Sequence, residues 1–338
     1  MPEPASILVV RLSHLGDVVT TLPLVHALAD RWPAARLGWA VEASFAPLLV
    51  GLQGVEVLAH ARGGGLGGAW RFGRALRAFR ADLVVDAQGN AKSAAWTLAA
   101  GGVHTVGLAA SDWQEPWAAR AATTRAPAIG RDRHAVERAL GLAAFVTGRP
   151  ATARFGLDIS ERERAAGAAR WRALGGDVVL HLSVEDDVRG WPTAHWVELA
   201  RRLPGSVLVA GPREAEVAER VVLRLAAAGV ARPTWFGAKD LRELAATFEA
   251  AGRAGARFVG VDSGPLHVAA AVGLVPLALL GPTDARRTGP WPPSADSSLR
   301  SAEQLACAPC VARRCVHPEG PVCLTRLEPE RVLAALGG

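Results

Sequence analysis

The sequence predicts an α/β fold in which a doubly wound parallel sheet is built twice. Strand-like apolar runs alternate with amphipathic helical segments along the 338 residues. The alternation is interrupted once, at 146–160, by a stretch that contains Pro and Gly and has no apolar periodicity. A hydrophobic fraction of 50% is enough for two cores. We therefore predict a first domain over 1–155, a second over 156–326 and a closing helix over 327–338.

Each half contains five strand-like runs. In the first half they are SILVVRL, RLGWAVE, VEVLAH, ADLVVDAQG and HTVGLA, separated by segments such as VVTTLPLVHALADRW and WRFGRALRAFR. In the second half they are DVVLHLS, GSVLVAG, ARPTWFG, ARFVGVD and LVPLALLGP, separated by segments such as TAHWVELARRL and EAEVAERVVLRLAAAG. The run GGGLGG at 63–68 follows a later strand rather than the first, and we interpret it as a surface loop. Ligands of open α/β sheets bind beyond the carboxyl ends of the strands, in a cleft that two such sheets would share.

The first strand of the first half ends in a polar turn. Ser13, His14, Gly16 and Asp17 lie between this strand and the next helix. A carboxylate at this edge could accept a proton from a substrate hydroxyl. Asp17 could equally be a helix N-cap, which satisfies backbone N–H groups.

A second polar turn, Asp262-Ser263-Gly264-Pro265, ends a strand of the second half and opens a helix. The first N–H groups of a helix lack intrahelical partners, and with the helix dipole they form an anion site suited to a diphosphate. Gly264 would let a ligand approach the backbone. His267 could donate to a phosphoryl oxygen or pack inertly against the next strand, and its place beside this turn favours the phosphate contact.

The charge and hydropathy of the chain exclude some classes of function. The formal net charge of +6 comes almost wholly from arginines, which are spread along the chain, so we predict no nucleic-acid partner. Phosphorylated small molecules or an anionic membrane surface fit better. The longest apolar run, 268–280, is shorter than the ~20 residues of a membrane span. The first residues carry no signal-peptide pattern, so we expect a cytoplasmic location, with peripheral contact at the inner membrane left open.

Six motifs, taken together and in order, carry a family resemblance. They are LSHLGDVVTTLP, VVDAQGNAKSAA, HAVER, WPTAHW, VDSGPLHVAAA and LLGPTD. The chain resembles glycosyltransferase family 9, the ADP-heptose:lipopolysaccharide heptosyltransferases. DAQG-x-x-KSA and HAVER most resemble the heptosyltransferase I branch, which adds the first heptose to the Kdo of the inner core.

This resemblance implies a GT-B fold, two Rossmann-like domains with an inverting, metal-independent active site between them and no cofactor. The first domain would bind a glycolipid or glycan acceptor, and the second an ADP-heptose donor. Asp17 matches the catalytic aspartate, which is expected to deprotonate the acceptor hydroxyl. The closing helix is expected to pack back on the first domain, as in other GT-B chains.

The resemblance also assigns binding residues. Glu214 matches a carboxylate that binds the ribose of the donor, a role suited to its two acceptor oxygens. Two further positions, Ser183 and Arg189, match a hydroxyl and a lysine that contact the diphosphate. The complete predicted donor set is Ser183, Arg189, Glu214, Asp262, Ser263, Gly264 and His267. Lys92 and Arg62 are candidate acceptor contacts, although each could also be a solvated basic residue.

Several positions depart from the family pattern. Val184 and Glu185 replace a threonine and an arginine, and the loop has one extra residue. Glu185 near a diphosphate would be repulsive, so we expect it to turn away or the donor contacts to differ. Arg189 in place of lysine keeps the charge but changes the geometry. Gln114 replaces an arginine that faces the anionic acceptor, which leaves the acceptor open.

Four cysteines near the end, Cys307, Cys310, Cys315 and Cys323, could bind zinc, and a cytoplasmic location argues against disulfides. Their spacing is not the paired C-x2-C form, so we predict no metal site. Two other functions remain open: a nucleotide-sugar-binding protein of the same fold without turnover, and a family 9 transferase with another donor and acceptor. An epimerase of this fold would need an acid/base set that we do not find.

Overall fold

The computed structural model describes residues 3–236, 240–301, 303, 305–312 and 314–337. The chain divides into two compact units, Met1–Asp158 and Ile159–Gly338. Each unit holds one six-stranded sheet in which every recorded strand pairing is parallel. The predicted doubly wound α/β fold, built twice, is confirmed.

The sheet of the first unit has the strand order β3-β2-β1-β4-β5-β6. The chain thus builds outwards from β1 and then returns to its other side, so the carboxyl ends of β1 and β4 form the topological switch point. The strands are β1 (Ser6–Val10), β2 (Arg36–Glu42), β3 (Val55–His60), β4 (Leu83–Asp86), β5 (His104–Gly107) and β6 (Thr124–Arg125), and the helices are α1 (Leu15–Arg31), α2 (Ala46–Leu49), α3 (Gly65–Phe79), α4 (Ala91–Ala100) and α5 (Ala135–Thr147).

The sheet of the second unit repeats this topology, with the order β12-β11-β10-β7-β8-β9 and a switch point between β7 and β10. The strands are β7 (Val178–His181), β8 (Ser206–Ala210), β9 (Thr234–Phe236), β10 (Arg257–Val261), β11 (Val275–Leu279) and β12 (Ser298–Leu299). The helices are α6 (Glu161–Leu174), α7 (Thr193–Arg202), α8 (Ala215–Ala227), α9 (Leu241–Arg253), α10 (Gly264–Ala271), α11 (Ala285–Thr288), α12 (Val322–Thr325) and α13 (Pro329–Ala335).

Apolar strand residues and the inner faces of the helices form the cores. In the first unit Leu8 and Val84 of the sheet share a cluster with Phe72 and Leu76 of α3. In the second unit the cluster includes residues of β7, β8, β10 and α7. Buried strands of parallel sheets carry continuous apolar runs for this reason. Among the described residues, no helix is long and apolar enough to cross a membrane.

The closing helix, α13, has contacts within the second unit: Val332 is buried in the core cluster of that unit, and the Arg257 guanidinium donates to the carbonyl of Ala335 (3.0 Å). The apolar face of this short helix is thus covered by the second sheet and α7. The packing of α13 on the first domain stays a prediction.

Candidate active site

The first turn of α1, directly after the loop that follows β1, holds the proposed base at the first switch point. Arg11 Nη2 lies 2.7 Å from Asp17 Oδ2, and His14 Nδ1 lies 3.4 Å from the same oxygen. Arg11 also donates through Nη1 to the carbonyl of Ala87, directly after β4 (2.8 Å). The Asp17 side chain keeps 36% of its surface exposed, so an incoming hydroxyl can reach it.

His14, and not Asp17, occupies the N-cap position of α1. Its φ of 63° lies in the left-handed region, which is uncommon for a residue with a side chain and is found mainly where the surroundings enforce it. Gln88 supplies part of that enforcement, because its Oε1 accepts hydrogen bonds from the backbone N–H groups of Leu12 (2.8 Å) and Ser13 (3.3 Å). The DAQG turn therefore shapes the loop that presents Asp17.

The DAQG turn is itself held by a buried carboxyl group. Asp86 Oδ1 accepts from the N–H groups of Gln88 (2.9 Å) and Gly89 (3.0 Å), and the Thr97 hydroxyl donates to Oδ2 (3.2 Å). Full burial raises the pKa of Asp86, because no water solvates its charge. We assign this side chain to the support of Gln88, since it lies inside the fold.

The two predicted acceptor cations meet on one carboxylate. Lys92 Nζ lies 2.5 Å from Glu42 Oε1, and Arg62 Nε lies 2.8 Å from Glu42 Oε2. Glu42 is the last residue of β2 and only 2% exposed, so it fixes both cations at the carboxyl edge of the sheet. Two cations on one carboxylate leave a net positive charge. Gln114 is exposed, and its backbone N–H donates to the carbonyl of Gly89 (2.8 Å).

At the second switch point, β10 leads directly into α10. Ser263 is the N-cap residue, and its buried Oγ has no hydrogen-bond partner within the described part of the chain. Asp262 Oδ1 lies 3.4 Å from His267 Nε2, and Oδ2 accepts from the Thr288 hydroxyl (3.0 Å). Burial opposes ionisation of Asp262, yet the hydrogen bonds from His267 and Thr288 outweigh it and hold the pKa of this carboxyl below its usual range.

The loop after β7 brings Arg189 to the same switch point. Its Nη1 donates to the backbone carbonyl of Asp262 (3.3 Å), and its Nε donates to Asp187 Oδ1 (3.2 Å). Ser183 is buried and accepts hydrogen bonds from Trp191 N (3.0 Å) and Trp196 Nε1 (3.3 Å). The Ser183 hydroxyl therefore anchors the loop that carries Arg189.

Glu185 points towards α7. This is the first of the two predicted alternatives, in which the carboxylate turns away from the diphosphate. Its Oε2 accepts from the Thr193 hydroxyl (2.7 Å) and from Arg220 Nη2 (3.0 Å), and its Oε1 accepts from Thr193 N (3.3 Å). It thus satisfies the first N–H of a helix whose N-cap residue is Pro192. Glu214 follows β8, the strand beside β7, and its Oε2 accepts from Gly211 N (3.0 Å). Burial raises the pKa of Glu214.

The model of glycosyltransferase family 9 (heptosyltransferase) matches residues 69–319. The chain belongs to glycosyltransferase family 9. Lipopolysaccharide heptosyltransferase 1 of Pseudomonas aeruginosa is 32% identical, over 98% of this chain and 96% of that protein. The resemblance read from the six motifs is thereby confirmed, and so is the assignment of this protein as a glycosyltransferase.

Solved structures share the fold of this family 9 glycosyltransferase. The structure described as E. coli heptosyltransferase WaaC with ADP is 25% identical, with a TM-score of 0.70, over 98% of this chain and 97% of that chain. The structure described as the same enzyme with ADP-2-deoxy-2-fluoro heptose is 23% identical, with a TM-score of 0.72, over 98% and 99% of the two chains. Both matches extend over the two units.

The cysteines of this glycosyltransferase are free thiols. Cys307, Cys310 and Cys315 are exposed, and burial raises the pKa of the half-buried Cys323 thiol. Within the described ranges, no group of three or more His, Cys, Asp and Glu side chains is arranged to hold a metal ion.

The structure brings together some of the predicted site residues and adds others. Arg189, Asp262 and His267 meet at the second switch point, with Ser263 at the same helix start. Sequence reasoning missed Arg11, Gln88 and Glu42. Their position in the chain could have identified them, because each lies within two residues of the carboxyl end of a strand.

Proposed function

We propose that this glycosyltransferase moves a heptose from ADP-heptose to an inner-core lipopolysaccharide acceptor or a similar glycan, with inversion at the anomeric carbon. The acceptor hydroxyl attacks this carbon as the bond to the diphosphate oxygen breaks. ADP leaves with the bonding electrons, and the hydroxyl proton passes to Asp17. The similarity to heptosyltransferases supports the choice of donor and acceptor.

One observation in the structure carries the donor half of this proposal. The buried, unpartnered Ser263 hydroxyl lies at the start of α10, next to Asp262 and within one helical turn of His267. Buried polar groups without a partner are uncommon in folded proteins, and a ligand oxygen would satisfy this one. The first N–H groups of α10, together with Arg189 and His267, would bind the diphosphate.

The remaining donor residues have different roles in the proposal. Glu214 binds the ribose hydroxyls of the nucleotide through its carboxylate. Gly264 lets the diphosphate approach the backbone. Ser183 acts through the loop that it anchors, which carries Arg189. Asp262 orients His267 through their contact at 3.4 Å.

On the acceptor side, Asp17 is the general base and Arg11 holds it in place. Lys92 and Arg62, fixed by Glu42, bind anionic groups of the acceptor. We also propose that the enzyme contacts the membrane peripherally, because a lipopolysaccharide acceptor is a glycolipid. Leaving-group charge is stabilised by Arg189 and the dipole of α10, so the proposed reaction requires neither a metal ion nor a cofactor.

The test is transfer of labelled heptose from ADP-heptose to lipopolysaccharide that lacks heptose. We expect product and ADP to form at equal rates, turnover to continue in EDTA, and ADP-glucose and UDP-glucose to be poor donors. A higher transfer rate with another nucleotide sugar than with ADP-heptose would show that the other sugar is the donor. Loss of turnover in EDTA that Mg²⁺ restores would contradict metal independence.

Specific ADP-heptose binding without any transfer would instead favour a binding protein without turnover.

A further inference from the structure

The first unit carries a basic and aromatic surface whose exposed tryptophans and arginines have no role in the proposed active site. It is formed by α3, α4 and the 3-10 turn Pro116–Ala121; α4 packs against both of the others. Trp70 of α3 is 62% exposed and Trp117 of the turn is 65% exposed, and Leu66 of α3 and Leu98 of α4 are exposed as well. We call this region the α3–α4 surface.

Trp70 and Trp117 are unusually exposed for tryptophans of this protein. All eleven tryptophans lie in the described part of the chain, and the other nine are buried or half-buried. An exposed tryptophan leaves a large apolar ring in water, which costs free energy unless a partner covers it. Both exceptions lie on the α3–α4 surface.

The charge of this surface has one sign. Arg71 and Arg74 of α3 and Arg120 of the turn are exposed, and the segments 65–79, 91–100 and 116–121 contain no Asp or Glu. Within the described residues, none of these three arginines forms an ion pair. The Arg74 guanidinium lies over the Trp70 ring, 4.8 Å from its centroid. The surface therefore offers unneutralised positive charge next to exposed apolar rings.

Helix α3 is arranged to present these groups outwards. Phe72, Leu76 and Phe79 are buried against the sheet, whereas Leu66 and Trp70, four residues apart, are exposed on the other side. Arg74 follows Trp70 by four residues and continues the exposed row. Tryptophan and arginine on one helix face are typical of segments that lie in the headgroup region of a bilayer.

We propose that the α3–α4 surface docks on a membrane that contains anionic phospholipids. The indole rings of Trp70 and Trp117 enter the headgroup region, and the arginines pair with lipid phosphates. A second copy of the chain is a poorer occupant, because a symmetric contact would bring the two arginine clusters together. The proposal deepens the proposed function, since it presents the first unit to a lipid-anchored acceptor, but docking itself requires no turnover.

The experiment measures binding of the purified protein to phosphatidylcholine vesicles with and without phosphatidylglycerol, by co-sedimentation. We expect clear preference for the anionic vesicles and weakening by salt. The variants Trp70→Ser/Trp117→Ser and Arg71→Ser/Arg74→Ser should each bind anionic vesicles at least about tenfold more weakly. The control Leu223→Ser/Arg224→Ser, which removes an exposed leucine and arginine from α8, should bind like the wild type.

Equal binding to both kinds of vesicle, or wild-type binding by both α3–α4 variants, would overturn the proposal. A change of oligomeric state in these variants by sedimentation velocity, without a change in vesicle binding, would assign the surface to contact between copies instead. A transfer assay with a delipidated, soluble acceptor tests the proposed catalytic function without requiring membrane docking. The variants should retain that transfer, and its absence in the wild type would count against the proposed function alone.

Discussion

At the scale of the residue, the Asp262–His267 pair explains how a buried acid can lie beside the proposed diphosphate site. The carboxylate accepts from His267 and Thr288, and its lowered pKa keeps it ionised at neutral pH. An acid next to a diphosphate would be repulsive unless its charge were directed into other contacts. His267 supplies one of these contacts, and in the proposed function it also donates to the diphosphate.

His267→Ala should therefore weaken ADP binding by about 1–2 kcal/mol, the value of a hydrogen bond to a charged group. Calorimetry with ADP measures this loss, and thermal unfolding shows whether the variant is folded. His317→Ala, in another part of the second unit, serves as the control and should bind ADP normally. Unchanged ADP affinity in folded His267→Ala would place the diphosphate elsewhere.

Residue types at strand ends could be predicted from the sequence, but their partners could not. Asp17 and His267 were predicted as site residues because a strand, a polar turn and a helix follow one another locally. Arg11, Gln88 and Glu42 were missed because their contacts join segments 76 or 50 residues apart, and only the strand order of the sheet brings those segments together.

At the scale of the element, the loop between β7 and α7 explains how Glu185 is accommodated. The Glu185 carboxylate caps α7 through Thr193 and pairs with Arg220 of α8. The hydrogen bond from Thr193 is the main cause that lowers the pKa of Glu185 from its ordinary value of 4.5. Folding thus favours the ionised form, so its contribution to stability is present above this value and is lost as the pH falls below it.

Glu185→Ala should lower the melting temperature at pH 7 by about 2–4 °C, which corresponds to the loss of about 1 kcal/mol for a helix cap. ADP affinity should stay unchanged, because the carboxylate faces α7. Glu198→Ala removes a partly exposed carboxylate within α7, which pairs with Arg201, and should have a smaller effect on melting. A large change in ADP affinity in Glu185→Ala would mean that Glu185 acts on the donor directly.

Element boundaries were harder to predict than element types. Helix α3 begins at Gly65, inside the glycine run for which the sequence predicts a surface loop. Glycine has low helix propensity, so the run gave no local signal, and packing of Phe72, Leu76 and Phe79 on the sheet stabilises the helix instead. Strands β6 and β12 are two residues long and leave no detectable periodicity.

At the scale of the whole molecule, the repeated topology accounts for where the candidate residues lie. Both sheets have the same order around a central switch point, and Asp17 and His267 each follow a strand at that point. The sequence predicted this architecture because long alternating segments are the most reliable pattern in a chain. The contacts of α13 with α7 and with the core of the second unit could not be predicted in detail, since a short amphipathic helix does not specify which surface covers it.

The central claim is that this glycosyltransferase uses Asp17 as its general base, and Asp17→Asn tests it most directly. The substitution keeps the size of the side chain and removes its basicity, so kcat should fall by ~10²–10⁴-fold. The melting temperature should change little, because a partly exposed ion pair such as that with Arg11 contributes little stability. ADP affinity should be unchanged. Asp30→Asn, which alters an exposed ion pair on the same helix, should retain kcat.

The decisive measurement is kcat for heptose transfer by folded Asp17→Asn at saturating donor and acceptor. The account predicts a loss of at least about a hundredfold with normal ADP binding. A folded variant with near-normal kcat would contradict it and would direct attention to His14, whose ring nitrogen lies 3.4 Å from the same carboxylate oxygen.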